Sequence, residues 1–193
     1  MVYGVGYILN KETRINGIQE ESYKTWLQML RRCYSQKEQI RYPKYKECIV
    51  SNEWLCYDNF KKWYNDNFYQ IDNEKMALDK DILIKGNKIY SPETCVFVSN
   101  RINVLFTKSN ATRGDYPIGV SWNKREEKFR AYCQTSFGKQ KHLGYYSTPE
   151  DAFYKGYKPF KERYIKEIAE EYKNKIPKKL YDALYNYEVE ITD

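Results

Sequence analysis

The chain has 193 residues, of which 41% are hydrophobic and 17% aromatic, and it carries a formal net charge of +7. That is enough apolar material for one domain or two small ones, yet no run approaches the ~18 apolar residues a crossing helix needs, so no membrane partner is expected. The positive balance favours a polyanionic partner without requiring one.

Met1-Val2-Tyr3-Gly4 has neither the basic start nor the apolar run of a signal peptide, which points to a reducing cytoplasm. Cys33, Cys48, Cys56, Cys95 and Cys133 include no C-x-x-C pair, and His142 is the only histidine. Zinc sites want close ligand pairs and histidine partners, so buried free thiols are the expectation.

Residues 2–8 read as a short strand. After a polar stretch, Glu20 to Tyr34 reads as a helix, with Tyr23, Trp26, Leu27, Leu30 and Tyr34 at three- and four-residue steps and Arg31 and Arg32 near its C-terminal end. Residues 35–44 are polar and reach Pro43, which suggests loop; 45–50 suggests a strand. Asp58 to Asn67 is a second helix, with Phe60, Trp63 and Tyr64 on one side. From Met76 to Thr107 the order is strand (77–83), turn (85–88), strand (95–98) and a helix capped by Ser99 and running through Ile102 and Phe106, a ββα arrangement.

Residues 108–117 are polar turn-formers without hydrophobic period, and the linker is placed at 110–117. Ile118 to Asn123, Lys128 to Gln134 and Lys139 to Tyr146 read as three strands. Thr148-Pro149-Glu150-Asp151 is a strong helix start, with Thr at the N-cap, Pro at N1 and acids in the first turn. That helix should reach about Lys173 on a stripe of Phe153, Tyr157, Phe160, Tyr164 and Ile168, kinked at Pro159. A last helix is expected from Pro177 to Tyr187.

Strand alternation sorts the faces of the sheet. Val120, Trp122, Phe129, Ala131, Cys133, Leu143 and Tyr146 form the side that packs on the helix. Ser121, Asn123, Arg130, Tyr132, Gln134, Gln140 and His142 share the other. Six basic residues, Lys124, Arg125, Lys128, Arg130, Lys139 and Lys141, face two acids, Glu126 and Glu127. Lys and Arg on the loops suit phosphates, while Arg, Gln and Asn on the face can bond base edges. These residues are the candidate DNA-binding set.

Gly119-Val120, Lys128-Phe129-Arg130-Ala131, His142-Leu143-Gly144 and Ser147-Thr148-Pro149-Glu150-Asp151-Ala152 together resemble the plant ethylene-response-factor type of DNA-binding domain, over roughly 116–172. The resemblance implies a sheet that reads the major groove. Several first-strand Arg positions of that family are Ser121 and Asn123 here, so its target sequence does not carry over.

Leu78-Asp79-Lys80-Asp81, Asn87 and Ser91-Pro92-Glu93-Thr94-Cys95-Val96-Phe97-Val98-Ser99-Asn100 resemble phage HNH-family nucleases. That likeness implies catalytic candidates at Asp79 and Lys80, ligands at Asp79, Asp81, Asn100 and Asn103, and Mg2+ or another divalent cation. Lys80 stands where the family has its general-base His, and an ammonium is a poor base that opposes a metal.

The expected fold is α+β: an N-terminal ββα-metal (HNH-like) module with flanking helices over 1–109, then over 118–193 a three-stranded antiparallel sheet packed on a long helix with a helical tail. The expected function is that of a phage-type duplex-DNA-binding protein that has lost hydrolysis. The alternatives are a metal-dependent homing-type endonuclease and a phage counter-defence inhibitor that blocks a host nuclease or its guide-RNA complex.

Overall fold

The computed structural model of the chain describes residues 1–10, 12–107, 115–135 and 138–193, in two units, 1–99 and 100–193. The division falls at Ser99/Asn100, ahead of the segment from which the sequence reading took its linker. That segment, 108–117, lies outside the described residues as far as 114. Among the described residues no helix is long and apolar enough to cross a membrane.

The first unit opens differently from the reading. Residues 2–8 are not a strand: Tyr3 and Gly4 have positive φ (51° and 80°), and only isolated bridges pair Val2 with Gly6 and Tyr7 with Cys56. The polar stretch after them holds a hairpin, β1 (Arg14–Ile15) and β2 (Ile18–Gln19). Its turn is Asn16-Gly17, both at positive φ (50° and 78°), the pair that matches strand twist in two-residue hairpins. Helix α1 (Glu21–Tyr34) follows as expected, although its buried face centres on Trp26, Met29, Leu30 and Cys33.

The presumed loop 35–44 contains α2 (Gln36–Arg41), because the Ser35 hydroxyl accepts from the Glu38 N–H at 3.4 Å and so caps a new helix. A 3-10 turn (Pro43–Tyr45) leaves only Ile49–Val50 extended, as β3. Helices α3 (Asn52–Leu55) and α4 (Tyr57–Asn67) supply Trp54, Tyr57 and Phe60 to the core. The Trp26 indole N–H donates to the Trp54 carbonyl at 2.7 Å, which satisfies a polar group that would otherwise be buried unpaired.

Strand β4 is Met76–Asp79, shorter than 77–83, since Asp79 begins a turn. It pairs antiparallel with β6 (Val96–Ser99), while β5 (Ile89–Tyr90) pairs parallel with β3. Ser99 is therefore a buried strand residue rather than an exposed cap.

The second unit begins with a four-residue helix α5 (Asn100–Asn103) and a 3-10 turn (Val104–Phe106), so the long ββα helix drawn from Ser99 through Phe106 is not formed. Strands β7 (Val120–Asn123), β8 (Lys128–Gln134) and β9 (Gln140–Tyr146) make the antiparallel sheet in the order expected. Helix α6 has three parts: an α turn (Pro149–Asp151), a π-helical stretch (Ala152–Tyr157) and an α-helix (Lys158–Tyr172). The Thr148 hydroxyl caps it by accepting from the Asp151 N–H at 3.1 Å.

The π stretch corrects the reading at Pro159. Instead of splitting the helix, the wider turn just before the proline takes up the ring and its missing N–H within one continuous element. A π turn closes its bonds one residue further on, so the buried stripe moves ahead. Phe153 and Tyr157 are buried as expected, but Lys161 and Ile165 then replace Phe160 and Tyr164, which stay half-buried. The sheet lies very close to this stretch: a Cβ at Gly156 would stand 2.6 Å from the Ala131 Cβ. Helix α7 (Lys178–Tyr185) packs on α6 through Leu180 and Leu184, both fully buried.

Candidate nucleic-acid interface

The sheet register places the candidate residues on opposite faces. Ser121 pairs with Arg130, Asn123 with Lys128, Tyr132 with His142 and Gln134 with Gln140. These eight side chains share the face turned away from α6. Val120, Ala131 and Cys133, on the other side, are buried. Trp122 shares that side but is 41% exposed, because its ring packs on Phe129 (centroids 4.9 Å apart) and not beneath the helix.

Arg130 is held in place. One guanidinium nitrogen donates to the Gln140 Oε1 at 2.7 Å, and the group lies over the Tyr132 ring at 5.3 Å. A planar guanidinium fixed through one of its five N–H groups keeps the rest for an outside acceptor. Gln134 and His142 are exposed beside it, and Lys124, Arg125, Lys128 and Lys139 are exposed at the sheet's ends.

Three side chains are placed differently from the reading. Asn123 serves the β7–β8 turn: its Oδ1 accepts from the Arg125 and Glu126 N–H groups at 2.9 and 3.2 Å. Its amide donates to the Tyr145 hydroxyl at 3.2 Å. Lys141 pairs with Cys133 and turns to the helix side, where its ammonium lies 4.9 Å from the Phe160 ring centroid. Tyr145, which no alternation rule selected, joins the open face. It is 41% exposed and packs on His142 with centroids 4.6 Å apart.

A bulge is the cause. Ala131 pairs with Gly144 and Tyr132 with His142, so Leu143 is an extra residue and the parity of β9 changes there. Gly144 takes φ +127°, a value that side chains rarely adopt. The Leu143-Gly144 pair inside a strand was the sequence signal for this bulge.

The HNH-like residues of the first unit are engaged in the fold. The Asp79 Oδ1 accepts from the Asp81 and Ile82 N–H groups at 2.9 and 2.8 Å, closing the turn after β4. Burial pushes the Asp79 carboxyl above its ordinary range, and the neighbouring Asp81 adds to this. Lys80 is 7% exposed, donates to the Asn87 carbonyl at 2.9 Å and pairs with Asp81 at 3.2 Å. Asn87 answers by donating to the Lys80 carbonyl at 2.7 Å.

These residues do not fit a divalent cation. One Asp79 oxygen already takes two backbone protons, and an ammonium occupies the neighbourhood of Asp81. Among the described residues no three His, Cys, Asp or Glu side chains converge as a metal-holding group. Asn100 and Asn103 stand on α5 in the second unit. The five cysteines are buried, and burial pushes the Cys33 and Cys95 thiols up to about 12. No known protein family, curated protein or solved structure shows a significant match to this chain.

Proposed function

We propose that the chain binds duplex DNA through the open face of its three-stranded sheet, and that its HNH-like residues serve the fold rather than hydrolysis. The observation that carries this reading is the convergence of Arg130, Tyr132, Gln134, Gln140, His142 and Tyr145 on the face opposite α6, with lysines and Arg125 at the ends. Side chains of this kind on a rigid sheet suit base edges, and flanking cations suit phosphates. The tethering of Lys80 to Asn87 and Asp81 supports the second half, because a general base needs a free lone pair.

The test is fluorescence anisotropy of labelled duplexes across a salt series. Wild type should bind with a steep salt dependence, because each phosphate contact contributes about −0.9 to the slope of log K against log salt. Arg130→Ala combined with Tyr132→Ala should weaken binding by about ten-fold or more while leaving the fold intact. Wild type that binds no duplex at low salt overturns the reading. For the second half, plasmid incubated with Mg2+ or Mn2+ should stay uncut by wild type; cleavage that Asp79→Ala removes would restore a living nuclease.

A further inference from the structure

The second unit also carries an unneutralised cation away from the open face. Lys161 is only 7% exposed, on the sheet side of α6, where the π stretch has drawn it into the buried stripe. Among the described residues it has no carboxylate within ion-pair distance and no hydrogen-bond partner; its electrostatic neighbour is the Cys133 thiol. The nearby helix acids are engaged with other groups. Glu162 pairs with Lys158 at 2.9 Å and accepts from the Val189 N–H at 2.9 Å, and Glu167 pairs with Arg163 at 3.6 Å. Burial pulls the Lys161 amine below the ordinary lysine range, the mark of an ammonium without a counter-ion.

Further cations gather at the same seam. Lys141 is the cross-strand partner of Cys133 and lies over Phe160, the residue next to Lys161 in the chain. The Arg163 guanidinium lies 5.4 Å from the same ring's centroid. Its pairing with Glu167 is largely solvent-exposed, so an incoming anion can displace it at little cost.

We propose that Lys141, Lys161 and Arg163, grouped about Phe160 on the helix side of the sheet, form an anion site that takes a phosphoryl group. A buried ammonium gains most from a compact, doubly charged anion that supplies both the missing charge and hydrogen-bond acceptors. The phosphoryl group could belong to a nucleic-acid backbone or to a free phosphate-bearing ligand; the chemistry is the same. The site stands apart from the face on which DNA binding was proposed, and neither depends on the other.

The experiment is calorimetric titration of the full chain with inorganic phosphate and with pyrophosphate at constant ionic strength. Saturable binding to wild type is expected. Lys161→Met or Lys141→Gln should weaken it by about ten-fold, the loss of one charge-assisted contact, while Lys37→Gln, an exposed lysine of α2, changes nothing. Lys161→Met keeps the apolar stem and removes only the buried charge, and Lys141 is exposed, so at least one variant will fold. Displacement of pyrophosphate by a short duplex assigns the group to nucleic acid; failure to displace it assigns a free ligand. Absence of saturable binding in wild type, or equal binding by wild type and both folded variants, overturns the site. If pyrophosphate binds and no duplex does, the anion site holds and the DNA reading falls.

Discussion

The two units of the chain treat their polar residues in opposite ways. In the first, Asp79, Lys80 and Asn87 bond to one another's backbone and close a turn. In the second, Arg130, Tyr132 and Gln140 bond among themselves on the surface and keep donors and acceptors to spare. Both sets came from motif resemblances of similar extent. The difference shows that a motif identifies residues but not their duties: a carboxylate that caps a turn and one that holds a metal look alike in sequence, and their hydrogen-bond partners tell them apart.

The largest test of this contrast is Trp26→Ala. Losing a fully buried indole and its bond to Trp54 should cost the first unit about 3–5 kcal/mol, read by urea unfolding. Duplex affinity should survive wherever the sheet stays folded; its loss with the sheet intact would break the contrast. Gly156→Val attacks the second unit at the seam where a Cβ meets Ala131, and should cost about 1–3 kcal/mol. Here duplex binding should fall together with thermal stability.

Smaller effects sharpen the picture. Asn123→Ala removes two turn acceptor bonds and should cost about 1 kcal/mol, with duplex affinity changed less than by Arg130→Ala. If Asn123→Ala instead lowers affinity without lowering stability, Asn123 belongs to the interface and not to the turn.

Asp79→Asn should have the smallest effect. The folded carboxyl is raised, so its contribution to stability is fully present below the unfolded value, about 4, and is lost as pH rises through the higher folded value. The Asn variant keeps the Oδ1 acceptor without the charge. Its urea midpoint should match wild type in acid and exceed it at neutral pH; a lower midpoint at neutral pH would mean that the charge itself supports the fold.

Much of the second unit was legible. The three strands, the Thr148 cap and the long helix follow from alternation, capping chemistry and helical spacing, which are local properties. Two elements of the first unit were legible but unread: Asn16-Gly17 is a hairpin turn, and Ser35 with Glu38 has the spacing of a capping box. The face assignment held up to Leu143, where one inserted residue reversed it and brought Tyr145 into the open face.

From its sequence alone the protein is α+β, with cysteines suited to burial and a basic, hydrogen-bonding sheet near its C-terminal end. These features are set by composition and by periods of two and about four residues, which each segment carries within itself. Only the tertiary structure decided that Lys80 is consumed by Asn87, that Lys141 crosses to the helix side, and that Lys161 enters the core. Each of those outcomes depends on a partner distant in the chain or on one residue of slippage in a bulge or a π turn. A side-chain period cannot register such a shift until the packing has fixed it.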